Sequence, residues 1–265
     1  MRTIVITTKY PAFYADINIL RRFEKMEQYT GLKTRQEIKE LAKDAFKAQL
    51  GTSRLLVLVV ILLATASALL DRFVYNVTGG MGVLYWVVYT AGMLLLLVFS
   101  VNFYGEQIKI WNRQEARVGA LFSELSVNFF RKMGGMLWTS LWLTLWSLLF
   151  VIPGIVKAFA YYFTPNILAD CPNITARQAL KVSMKITKGY KGEVFIFALS
   201  WIGWMLLSAL TLGILYILYV GPYWSAADAG LYIELRDKAL NDGKITREDL
   251  GWDSQNTFTP QDVQY

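Results

Sequence analysis

Hydrophobic positions along this chain gather into long blocks that no charge interrupts. Arg54 and Asp71 bracket sixteen uncharged residues, Arg72 and Glu106 thirty-three, Lys132 and Lys157 twenty-four, and Glu193 and Asp228 thirty-four. A helix that crosses a bilayer needs about 20 apolar residues. The two longest blocks exceed one such helix and need internal turns. Asn76–Gly82, which holds Gly79, Gly80 and Gly82, delays the second helix, and Thr211-Leu-Gly213 divides the last block. Pro153-Gly154 divides the third, because proline disfavours helix in the residue before it. Six spans result, at 53–70, 82–104, 134–152, 154–170, 192–210 and 214–234. Arg54 lies at the rim of the short first span and is expected to snorkel outward.

Between the blocks lie three polar segments of one form, Thr34–Gly51, Arg117–Gly134 and Thr175–Gly192. Each is eighteen residues long, ends in Gly and precedes a hydrophobic hairpin. Apolar residues recur at helical spacing, as in Ile38, Ala42, Phe46 and Leu50, or Leu121, Leu125, Phe129 and Met133. Thr34-x-x-Glu37 and Thr175-x-x-Gln178 have the form of capping boxes. The expected fold is an all-α membrane protein with six transmembrane helices as three hairpins, each preceded by a cytoplasmic amphipathic helix. The membrane domain covers 34–235, with repeats at about 34–104, 117–170 and 175–234. Residues 1–33 are expected as an N-terminal cytoplasmic extension, with strand character at Arg2–Thr8 and a surface helix at 14–30. Residues 236–265 are expected as a mobile cytoplasmic tail.

Charge placement sets the orientation. Of 27 Lys and Arg residues, 25 fall in residues 1–54, in the 105–133 and 171–191 loops, or after residue 234. Only Arg72 and Lys157 fall at the opposite turns. Lys and Arg collect on the cytoplasmic side, so both termini are expected there, with the first span as an uncleaved anchor. The same placement argues against nucleic acid as a partner despite a net charge of +7. Basic loops beside apolar spans point instead to membrane lipids with anionic inner-leaflet headgroups. Histidine is absent and Cys171 is the lone cysteine. That removes His-based triads, histidine metal ligands and intrachain disulfides. No metal, no cofactor and no enzymatic activity is expected.

Ionisable and aromatic residues within the spans are the candidate binding residues. Asp170 and Asp228 occupy matching places near the cytoplasmic ends of the fourth and sixth spans. An intramembrane carboxylate is expensive, so such a pair suits cation binding or a proton relay; the alternative is a solvated interfacial aspartate. Lys157, one turn into the fourth span, either snorkels or forms a buried salt bridge. Trp138, Trp142 and Trp146 recur every fourth residue and form one stripe. It serves packing and lipid contact, or an aromatic wall for a headgroup or quaternary amine.

The runs LLFVIPGIVKAFAYYFTPNILAD (Leu148–Asp170) and KGYKGEVFIFALSWIGWMLLSALTLGILYILYVGPY (Lys188–Tyr223) resemble the bacterial domain-of-unknown-function 975 family, as does TRQEIKELAKDAFK near the start. The resemblance covers about 34–70 and 117–235. It departs at Cys171, where Asn is usual, and at Tyr190, where His is usual. It implies a multi-pass protein of the bacterial cell membrane and carries over no catalytic residue. The expected function is a non-enzymatic membrane module acting through lipid or protein contacts. The rivals are a small transporter or channel and a lipid-modifying enzyme, for which no carboxylate pair or nucleophile–base set is visible.

Overall fold

A computed structural model describes residues 32–79 and 82–252. The strand and surface helix expected in the N-terminal extension, and the end of the tail, lie outside the described residues. In the unit that begins at Thr34, every regular element among the described residues is helical. In chain order these are α1 (Arg35–Ala48), α2 (Leu50–Thr78), α3 (Val83–Trp111), α4 (Ala120–Ser123), α5 (Phe129–Leu149), α6 (Val151–Tyr161), α7 (Thr164–Asp170), α8 (Ala176–Thr187), α9 (Lys191–Leu199), α10 (Ile202–Leu210) and α11 (Gly221–Asn241). A π turn covers Tyr216–Val220 and a 3-10 turn Glu248–Leu250.

Three stretches are long and apolar enough to cross a membrane: α2, α3 and Lys191–Leu210, in which α9 and α10 join at Ser200–Trp201. Only 17, 11 and 22% of their apolar windows is buried inside the protein. Helices that are apolar on every side and largely uncovered are stable only in apolar surroundings. The expected turns are present. Gly79 ends α2 in the left-handed region at φ 70°, and Leu212 and Gly213 take φ 50° and 84° between α10 and the π turn. There the missing Cβ of glycine removes the steric penalty.

The other expected spans differ from single helices. The chain turns at Phe150, with φ −156° and ψ 138°, rather than at Pro153-Gly154. Pro153 sits in the first turn of α6, where its missing N–H would have no intrahelical partner. Gly154 instead lets α6 approach α5, since a Cβ there would stand 2.7 Å from Ser147 Oγ. The expected 154–170 span is interrupted at Tyr162-Phe163, and Pro165 opens α7. The expected 214–234 span continues through the π turn and α11 to Asn241.

Both capping boxes are formed, at Thr34–Glu37 and at Thr175–Gln178. The apolar face of α1, however, turns toward the protein and not toward lipid. Ile38, Ala42, Ala45 and Phe46 are buried, and Phe46 packs on Tyr219 and Tyr223. Lys39 donates to Ser200 Oγ at 2.8 Å and lies over the Trp201 ring. In α8, Leu180, Val182 and Ile186 likewise face inward, against α5, α6 and α7. Arg117–Gly134 is no continuous amphipathic helix. It holds the single turn α4, then Asn128 in the left-handed region at φ 53°, then the start of α5. Residues 236–252, expected within a mobile tail, fold back. Ala239, Ile245 and Leu250 are buried, and the 3-10 turn packs on α8.

One backbone defect ties α2 to the helix that leads into α11. Pro222 has no N–H to give the carbonyl four residues back, that of Leu218, and its ring crowds that carbonyl. The helix widens into the π turn at this point. Arg54 of α2 donates from Nε to Leu218 O at 2.8 Å. It points to a carbonyl, not outward as expected. Gly221 permits this approach, since a Cβ there would stand 2.9 Å from Val57 Cγ1. Arg54→Met should lower stability by about 1–3 kcal/mol, the effect of an acceptor left unpaired in apolar surroundings. In a Pro222→Ala background the restored N–H can serve Leu218, so the same change should be much less harmful. Thermal unfolding of the four detergent-solubilised proteins measures this coupling; additive losses would contradict it.

Candidate functional site

Asp228 lies on α11 among small residues, Ala226, Ala227, Ala229 and Gly230. These let α11 pack closely on α3. A Cβ on Gly230 would stand 2.2 Å from the Trp111 ring, so glycine is required there. On α3, a Cβ on Gly105 would stand 3.5 Å from Ala169 Cβ of α7. Asp228 is thus held at a junction of α3, α11 and the break between α6 and α7. Its side chain is buried. Tyr162 Oη, in that break, donates to Asp228 Oδ1 at 2.6 Å. Asn166, fully buried one helical turn on, faces the same carboxylate. Neither its amide atoms nor Asp228 Oδ2 reach a hydrogen-bond partner. Tyr104 of α3 is close enough to interact with Asp228 electrostatically. Gln107, three residues further along α3, is fully buried with both amide atoms unpartnered.

Asp170, expected to match Asp228, sits in a different environment. Its Oδ2 accepts from Tyr232 Oη at 2.8 Å and Arg236 Nη1 at 2.7 Å. It is therefore an ion-paired interhelical link and not a solvated aspartate. The Arg236 guanidinium also lies 5.1 Å from the Trp252 ring centre. Burial opposes the Arg236 charge, but Asp170, Tyr232 and Asp237 outweigh it and raise the pKa overall. Arg131 closes the other side of α7. It donates to Leu168 O at 2.6 Å and to Cys171 O and Ile174 O, each at 3.1 Å. A cation at a helix C-terminus satisfies carbonyls that the helix leaves free. Cys171 is fully buried beside this pair. Burial first, and the Asp170 charge second, push its thiol well above the ordinary range.

The remaining expected residues form a separate face. Lys157 Nζ lies 4.7 Å over the Trp146 ring and 5.8 Å from that of Tyr161. Arg177 lies 4.8 Å over Trp138. Trp138 and Trp146 pack against Ala160, Tyr161 and Leu180, and Trp142 meets Trp138 edge to face. The stripe is real, and the chain's own cations cover two of its three rings. It lies apart from the pairs made by Asp228 and Asp170. The sequence reading missed Tyr104, Gln107, Tyr162, Asn166 and Arg236. A signal was present for one pair, since Tyr162 and Asn166 are polar residues at i,i+4 within an apolar run.

Residues 148–239 match the family model described as "Protein of unknown function (DUF975)". This bears out the resemblance over its most specific part. The matched segment contains Lys157, Asp170 and Asp228; the three tryptophans precede it. No curated protein and no solved structure matches the chain.

Asp170→Asn should lower stability by roughly 3 kcal/mol, because it strands Arg236 in a largely buried place. Thermal unfolding of the variant in detergent measures this, and a loss near zero would mean that solvent already screens the pair. Cys171 should resist a thiol reagent at about pH 8 in the folded protein and react once denatured, because the thiolate is the reactive form. Rapid labelling of the folded state would show that this core opens readily.

Proposed function

We propose that this chain is a non-enzymatic integral membrane module. Its three hairpins cross the bilayer as six spans, with both termini on the cytoplasmic side of a bacterial cell membrane, and its basic face contacts anionic headgroups. One observation supports this most directly. Large apolar side chains left exposed concentrate on the three hairpins, from Leu55 to Leu95, Leu137 to Val156 and Phe195 to Leu218. Burial concentrates at the opposite ends, as with Val98–Ile110 of α3 and Gly221–Ala239 of α11. A helix of 29 residues is about 44 Å long at 1.5 Å per residue, against a hydrocarbon layer of about 30 Å. The surplus is the buried end. On this reading the interrupted 154–170 segment crosses as α6 and α7 in succession, since α5 and α8 cover the break.

The headgroup contact rests on α8. Arg177, Lys181, Lys185 and Lys188 form an exposed basic row along it, and no acidic residue lies in α8 itself. Asp249 engages Lys185 at 2.8 Å, and Lys181 and Lys188 extend the row. Exposed Phe122, Val127 and Phe130 then dip into the interface on the 117–134 segment, a pattern of aromatic anchors beside basic residues.

Topology is the test. Single cysteines at Asn76, Phe150 and Leu212, in a Cys171→Ser background, should react with an impermeant thiol reagent added outside intact cells. Cysteines at Lys181 or Asn241 should react only after the membrane is opened. Outside labelling at Asn76 and Leu212 but inside labelling at Phe150 would remove the central hairpin from the bilayer and with it the six-span reading.

A further inference from the structure

We propose that the Asp228 junction binds a small monovalent cation of the sodium class. This inference does not rest on the headgroup contact. It begins from an incomplete set of partners. Asp228 is 4% exposed, and its Oδ1 accepts from Tyr162 while Oδ2 accepts from nothing. The titratable groups that face it are Tyr104 of α3 and Tyr162 of the break before α7. No Lys or Arg among the described residues is one of them. A buried carboxylate is strongly disfavoured unless a counterion or further hydrogen bonds meet it.

A neighbouring amide is also open. Asn166 is 0% exposed, faces the same carboxylate and has neither amide atom partnered. Buried side-chain polar atoms in native proteins nearly always find partners, and clustered exceptions point to a bound water or ion. Asp228 Oδ2 and Asn166 Oδ1 are the primary ligands in this proposal. Tyr104 Oη is a further oxygen carried by the facing helix.

The ligand set selects the ion. Every atom is oxygen, which suits a hard cation. Only one ligand carries charge, whereas calcium sites gather several carboxylates. Among the described residues no group of three His, Cys, Asp or Glu assembles anywhere. One carboxylate balanced by one monovalent cation leaves a neutral buried site. The helices around it are irregular in two places, at Tyr162-Phe163 and at the π turn. Broken helices in membrane proteins recur where cations bind, and π turns are frequent at functional sites.

The test uses the full-length protein in nanodiscs of neutral lipid, which removes anionic headgroups from the comparison. Thermal unfolding is followed in sodium, potassium and choline chloride at equal pH and ionic strength, so that surface screening is the same. Sodium should raise Tm over choline in a saturable way, by about 3–5 °C at roughly ten times its Kd. Asp228→Asn should abolish the increment, and Asn166→Ala should shift its midpoint about tenfold or more to higher sodium. Equal melting in all three salts would overturn the proposal, as would a full sodium increment in Asp228→Asn. A rise on acidification in choline, with sodium inert, would assign the site to a proton and overturn it as well. If Asp228→Asn does not fold, the wild-type salt comparison and the Asn166→Ala midpoint decide.

Discussion

In apolar surroundings no water stands ready for a backbone carbonyl or a charge, so the protein must meet each from within. The irregular places in this chain follow from that constraint. Pro222 frees the Leu218 carbonyl, and Arg54 takes it. The break after α6 frees carbonyls at Ala160 and Tyr161. Ser183 Oγ donates to Ala160 O at 2.9 Å, and Thr164 Oγ1 to Tyr161 O at 2.8 Å. The end of α7 leaves carbonyls that Arg131 collects. Each interruption is thus stabilised by a polar side chain that the sequence places on a neighbouring element or turn. Helix α8 supplies one of these groups, Ser183, from its inward face.

Asp170 and Asp228 show the same constraint resolved in two ways. Asp170 lies where α11 can bring Arg236 and Tyr232 to it, and it becomes a structural link. Asp228 lies further along α11 toward the apolar end, among alanines and glycine that leave no room for a long basic side chain. Tyr162 alone donates to it. Close packing by small residues and an incompletely partnered carboxylate are therefore one design, because the residues that bring α11 against α3 are those that keep cations of the chain away.

Much of this architecture was legible in the sequence. Charge-free blocks marked the three stretches long and apolar enough to cross a membrane, Gly79 and Leu212-Gly213 marked turns at the ends of two of them, and both threonine capping boxes were readable three residues ahead. What failed depended on tertiary partners. Hydropathy ranks a side chain as apolar without saying whether lipid or protein covers it, so the helical spacing of Ile38 and Phe46 did not show that the protein itself covers them. Pro153 suggested a turn, but proline is also at home in a first helical turn, and the reversal moved to Phe150. The left-handed Asn128 that divides Arg117–Gly134 had no distinctive neighbours. Of the site, Asp228 was visible as a lone charge in an apolar run. Tyr104 was hidden because an uncharged polar residue in such a run becomes conspicuous only when helices bring partners to it.

The central claim is that the outward apolar surfaces of the three hairpins contact hydrocarbon. Spin labels at Leu62, Leu145 and Leu206, in protein reconstituted into vesicles, test it most directly. Collisional relaxation by oxygen, which partitions into the bilayer, should exceed that by a water-soluble nickel chelate at all three positions. Dominant relaxation by the chelate at Leu145 would place the central hairpin in water and contradict the account.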